Sequence, residues 1–153
     1  MKLKIAFPFA PLPQNNIERT GYETNVRYKT KEAKDYKAAI EVIVKSNLKT
    51  KEFKESFNEK VHGLSIAFMW YLNYKDLITQ TGKVRRIKKN TIDCDGPIKF
   101  TQDCILKAIG IDDVFINDVK AIRVPTKERS SFYVIIQRHE LLKDVIWREF
   151  LIP

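Results

Sequence analysis

The stretch HGLSIAFMWYLNY, residues 62–74, decides the fold of this chain. Its β-branched and aromatic residues suit a pleated surface buried on at least one side, and they predict a central strand from Leu64 to Tyr74. The aromatic rings could serve as a platform for stacking bases. Alternate residues of a central strand must face a core, however, so core packing is the reading adopted for them.

Upstream of that strand, Lys2 to Phe7 reads as a short strand ended by Pro8, Pro11 and Pro13. PLPQNNIERTGYET, which follows, is rich in turn formers and suits a surface loop. In TKEAKDYKAAIEVIVKSN, residues 30–47, Thr30 is a candidate N-cap. Ala33, Tyr36, Ile40, Ile43 and Val44 then form an apolar stripe at helical spacing. Residues 49–60 are strongly charged and fit either a short helix or a loop.

Downstream, residues 75–90 read as a polar loop or a hairpin. A helix over 97–109 follows, with Gly96 as N-cap and Pro97 at its first position. Ile98, Thr101, Ile105, Ala108 and Ile109 share one face, and Gly110 ends the helix. VKAIRV (119–124) and SFYVIIQ (131–137) are strands joined by PTKERS, which predicts a hairpin. HELLKDVIWREFLI, residues 139–152, reads as an amphipathic C-terminal helix. This order predicts one α+β domain over residues 1–153, a mixed β-sheet with helices packed mainly on one face.

The 153 residues are enough to bury a real core, and 44% apolar with 31% charged residues is ordinary for a globular protein. Twenty-eight basic against 19 acidic side chains leave a net charge of +9, which suits an anionic partner such as nucleic acid as well as plain solubility. Cys94 and Cys104 are too few for a disulfide scaffold and lack zinc spacing. The N-terminal apolar stretch is short for a signal peptide, and no run approaches the ~20 residues of a membrane span. A cytoplasmic, reduced setting is the expectation.

The chemistry-bearing segment is KVRRIKK (83–89) running into TIDCDGPIK (91–99). Positive charge placed directly beside acids is what an anionic polymer would need to approach a cation-binding carboxylate cluster. If 91–95 is extended, Asp93 and Asp95 project from one face just before the helix. Asp112 and Asp113 come after that helix, which spans roughly 20 Å, so the turn must pack back toward the helix start or a second protomer must supply the third acid. Clustered carboxylates stay ionised together only around a cation, and Mg²⁺ or Mn²⁺ takes such oxygen ligands. Lys99, four residues past Asp95, is placed to hold a scissile phosphate or leaving oxygen.

Plainer readings stand beside these. Asp93 can be a turn residue, Asp95 part of the helix cap, Lys99 a helix-surface partner of Asp103, and Asp112 and Asp113 turn residues. Lys83, Arg85, Arg86, Lys88 and Lys89 can be a solvated hairpin, although their position before the acids favours phosphate binding. There is no Walker-type loop, no GxSxG and no histidine pair at zinc spacing.

RRIKKNTIDCDGPIK, then Asp103, then GIDDVFINDVKAIRVP resembles the RusA family of Holliday-junction resolvases, which carry a basic stretch, a D-x-D-N-x-x-K block, an aspartate on the next helix and a D-D turn. LPQNN at 12–16 is similar to the family's proline-rich first loop, and the resemblance covers residues 2–137. Gly96 stands where the family usually has asparagine. The resemblance implies a RusA-like fold and a Mg²⁺- or Mn²⁺-dependent endodeoxyribonuclease. Such an enzyme acts as a homodimer that nicks four-way DNA junctions in pairs, in recombination, repair or phage DNA processing. It implies Asp93, Asp95 and Asp113 as catalytic metal ligands, with Asp112 the alternative to Asp113, and Lys99 as the cleavage lysine. It also implies DNA contacts by the 83–89 cations and by Asn15 and Asn16. A non-catalytic branched-DNA-binding protein that has kept the fold is the rival expectation.

Overall fold

The computed structural model describes residues 1–13, 16–20, 27–73, 78–81, 84–87 and 96–140. Along the chain lie β1 (Lys2–Phe7), β2 (Glu18–Thr20), β3 (Arg27–Lys29), α1 (Lys31–Ser46), α2 (Leu48–Glu55) and β4 (His62–Asn73). They are followed by β5 (Ile78–Thr81), β6 (Val84–Ile87), α3 (Ile98–Ile109), a 3₁₀ turn (Asp113–Phe115), β7 (Ile116–Thr126) and β8 (Ser131–Glu140). The class is α+β, as the order of apolar patterns predicts.

The main sheet runs β1-β8-β4-β7, so the predicted central strand is central in fact. β8 pairs antiparallel with both β1 and β4, while β7 runs parallel to β4, and the sheet is mixed. The hairpin expected of 119–137 does not form. The two strands exist, but they flank β4 on opposite sides, and the connection between them passes the end of that strand. Asn73 fixes this crossing. Its backbone N–H donates to Ser130 Oγ at 2.9 Å, and its amide donates to the carbonyls of Lys127 and Glu128 at 3.0 and 2.6 Å. Four linking residues reach across one intervening strand as easily as they turn a hairpin, since neighbours lie only about 4.8 Å apart.

One face of the sheet is the core. Leu3, Ile5 and Phe7 of β1, Leu64, Ile66, Phe68, Trp70 and Leu72 of β4, and Phe132, Val134 and Ile136 of β8 are all buried. Their period of two is the alternation of strand side chains. Phe7 stacks on Phe132 with ring centroids 4.4 Å apart, and Trp70 meets Phe132 edge-on at 5.2 Å. The aromatics of β4 on this face are therefore core, not a stacking platform. The opposite face is bare among the described residues, with Ile122 58% and Tyr133 45% exposed.

α1 and α3 cover the core face. Thr30 caps α1 by accepting from the Ala33 N–H at 3.1 Å, and Ala33, Tyr36, Ile40 and Val44 are buried, while Ile43 is partly so. α3 buries Phe100, Thr101, Cys104, Ile105, Leu106 and Ile109. The charged segment after α1 forms α2 through Phe53, which is fully buried. β5 and β6 realise the hairpin alternative for the segment after β4. His139 and Glu140 belong to β8, paired with Gly63 and His62, so the C-terminal helix does not start at 139; residues 141–152 lie outside the described residues. Gly63 lies under the Asn117 and His139 side chains: a Cβ there would sit 2.4 Å from Asn117 Nδ2 and 2.9 Å from His139 Nε2, so both side-chain ends would have to shift. No helix among the described residues is long and apolar enough to cross a membrane.

Candidate active site

Local sequence sets the start of α3. Pro97 cannot donate a backbone hydrogen bond and holds the cap position, so the helix begins at Ile98, one residue later than expected, with Gly96 just outside it. Lys99 thus stands in the first turn and Asp103 one turn on, where Nζ to Oδ1 is 2.9 Å. The plain reading of these two as a helix pair is correct, but incomplete.

Gly110 ends α3 in the left-handed region, at φ 79°, which favours glycine. The chain then reverses, and Gly110, Ile111, Asp112 and Asp113 line a groove with Asp103, Leu106 and Lys107. This return brings Asp113 Oδ2 onto the same Lys99 ammonium, which donates to it. Within one chain the turn after α3 thus packs back far enough for Asp113 to meet the Lys99 side chain. The two adjacent aspartates separate by role. Asp112 Oδ1 accepts from the Val114 N–H at 3.0 Å and caps the 3₁₀ turn, whereas Asp113 faces Lys99.

The cluster's protonation follows from these contacts. Hydrogen bonds to Asp113 and then Asp103 push the Lys99 pKa up to about 12, so it is a cation at neutral pH. Lys99 holds the Asp113 carboxyl below the usual carboxylate range. Lys99 is thus unfit as a general base and suited to holding negative charge. In contrast, burial pushes the Cys104 thiol up to about 11, and Cys104 packs as a core residue.

Other expected site residues fall as follows. Asp93, Asp95, Lys83, Lys88, Lys89 and Asn15 lie outside the described residues. Arg85 and Arg86 lie on β6, opposite Gln80 and Thr79. Asn16 is described: its amide donates to Glu32 at 3.4 Å and its carbonyl accepts from Thr30 Oγ1 at 2.5 Å, which ties the first loop to the start of α1.

Sequence reading missed a wall. β2 and β3 form a short antiparallel ribbon, and an open cleft of about 550 Å³ lies between it and the start of α3. Arg19, Arg27, Lys29, Gly96, Lys99 and Asp103 are among the residues lining it. The available signal was the pair of basic residues in VRYK placed across turn-forming residues from IERT. Such short, wholly exposed strands carry no apolar alternation to announce them.

The groove on the other side of Asp103 is lined by four carboxylates, Glu59, Asp103, Asp112 and Asp113. Oxygen donors of this kind suit a hard divalent cation. Among the described residues, no three acidic, histidine or cysteine side chains stand close enough to hold a metal ion by themselves.

No curated protein matches the chain. The family model of endodeoxyribonuclease RusA matches residues 8–137, from the end of β1 nearly to the end of β8 and across the whole Lys99–Asp113 cluster. The match spans most of the molecule and all of the described site, and the chain belongs to the RusA endodeoxyribonuclease family.

Proposed function

We propose that this protein is a metal-dependent, structure-selective DNA endonuclease that resolves four-way junctions by paired nicks. The observation carrying this reading is the return of Asp113 to the first turn of α3, where it meets Lys99. That return brings the acid that follows α3 to the lysine in its first turn, which supports placing them in one site. Asp95 is bonded to Gly96, which lines the cleft beside Lys99 and Asp103.

In this reading, Asp93, Asp95 and Asp113 hold Mg²⁺ or Mn²⁺. Such an ion, when bound, lowers the pKa of a water and offsets charge on phosphoryl oxygens. Asp113 is already ionised and solvent-facing, as a ligand for a hard cation must be. Lys99 carries its proton at neutral pH and stabilises the charge gathering on the cleaved phosphate or leaving oxygen. The 83–89 cations hold phosphates and give affinity that falls steeply with salt, with little base information. The active unit is a homodimer whose two-fold axis matches that of the junction, so that one site faces each opposed strand.

The test is a synthetic four-way junction incubated with protein, with and without Mg²⁺ or Mn²⁺, and resolved on a denaturing gel. Paired nicks that need the metal are expected. Asp95→Asn and Asp113→Asn should each bind the junction and not cut it. Equal nicking by either variant removes that residue from the catalytic set. Junction binding without product under any metal would make the protein a non-catalytic branched-DNA-binding module.

A further inference from the structure

The cleft between the β2–β3 ribbon and α3 is not needed to explain the acidic cluster, yet it opens directly onto it. Lys99 and Asp103 belong to both. Across the ribbon, Glu18 pairs with Lys29 and Thr20 with Arg27, so these four side chains share one face. All four line the cleft. Arg27 and Lys29 are two residues apart on one strand, which sets their Cα atoms about 6.8 Å apart along it. That spacing is comparable with the step between successive phosphates of one nucleic-acid strand.

Among the described residues, Arg27 and Lys29 make no ion pair, and Lys29 Nζ stands 4.9 Å from the centre of the Phe100 ring. That contact aims the ammonium across the cleft toward α3. The ribbon is also built to stay put. The Thr30 N–H donates to the Ile17 carbonyl at 3.1 Å, and the Thr30 hydroxyl donates to the Asn16 carbonyl, so the helix cap itself anchors the ribbon's base. A protein with 28 basic residues can place cations anywhere on its surface. Here two of them line one open cleft whose far side carries Lys99.

We propose that this cleft seats the backbone of the DNA strand being cut, with Arg27 and Lys29 holding successive phosphates next to the one at Lys99. The inference rests on the nuclease reading for the strand's identity. It adds a second phosphate-binding wall, distinct from the basic run at 83–89. The two walls do different work: the 83–89 run supplies general affinity, while the ribbon fixes which phosphodiester reaches Lys99. A single strand bounded on both sides fits a branch point, where strands leave the duplex.

The test compares wild-type protein with Arg27→Gln/Lys29→Gln and with the charge-conserving Arg27→Lys/Lys29→Arg. Junction affinity and cutting are measured over a salt series, with thermal melting as the folding check. Losing two phosphate contacts should flatten the slope of log affinity against log salt by about 1.4 to 1.8. Cutting by the glutamine variant should fall further than binding does and lose its fixed position on the junction. The charge-conserving variant should restore slope and position. If the glutamine variant keeps the wild-type slope and cuts at the same phosphodiester, the ribbon proposal is overturned. If wild-type protein cuts nothing, the nuclease reading fails, and the binding slope still decides the ribbon independently. Should the glutamine pair impair folding, the slope of Arg27→Gln alone, expected to flatten by about half as much, decides it.

Discussion

Lys99 binds two carboxylates from different parts of the chain, and this double contact governs what the residue can do. With its pKa pushed up to about 12, it is a fixed positive charge at neutral pH. Lys99→Met should therefore lower the cleavage rate by about 10²–10³-fold, the scale of losing one preorganised charge-stabilising group, a larger loss than the single phosphate contact removed from junction binding. Single-turnover cutting with excess protein checks this, and a variant that cuts at the wild-type rate would remove Lys99 from the chemistry. His62 gives a separate residue-level expectation. It is buried, its Nδ1 accepts from the Asn58 N–H at 2.9 Å, and burial first, then the Arg138 cation, holds its pKa below the usual imidazole value. The unfolded chain, with its histidine near about 6.5, takes up a proton that the folded chain resists, so this contribution to stability is full above about pH 6.5 and is lost as pH falls below it. Denaturant midpoints measured on either side of that pH should differ less for His62→Gln than for wild type. At this scale the sequence made Lys99–Asp103 legible, because four residues is one helical turn. The Asp113 contact was not legible, because it depends on how the chain packs after Gly110.

At the scale of elements, periodicity was informative about strands and helices and silent about who pairs with whom. The alternation in β1, β4 and β8 and the stripe in α1 are one-dimensional and could be read directly. That β7 and β8 straddle β4 depends on a partner more than fifty residues away, and no local signal carries it. The seam between α1 and α3 rests on one polar contact inside an apolar core: the Tyr36 hydroxyl and Thr101 Oγ1 are 2.9 Å apart, with Thr101 fully buried. Burial drives the Tyr36 hydroxyl well above its ordinary pKa, so it stays protonated and available as a donor. Thr101→Val keeps the shape and removes the side-chain partner of that hydroxyl, leaving it the Leu12 backbone. It should cost about 1–3 kcal/mol, measured by equilibrium denaturation, and Thr101→Ser should recover part of the loss.

For the whole molecule, the sheet has a helix-covered face and a face left open among the described residues, where Ile122 and Tyr133 stand exposed. Met69 of β4 lies between them in register, and Tyr71, two residues on, meets Tyr133 edge-on at 5.6 Å. If the proposed homodimer uses this face, wild-type protein should show twice the mass of one chain by light scattering, and Ile122→Asp should shift it toward a single chain while the fold is kept. A dimer indifferent to that substitution places the contact elsewhere.

Lys99 stands in the first turn of α3 and Asp113 just beyond its end, and the stretch of helix between them acts as a ruler. Removing or adding one residue within it would swing everything beyond by about 100° and shift it about 1.5 Å, and the acid would miss the ammonium. Changes in chain length are therefore tolerable in surface loops but not in this span, and the separation between the two residues is as much a part of the site as their chemistry.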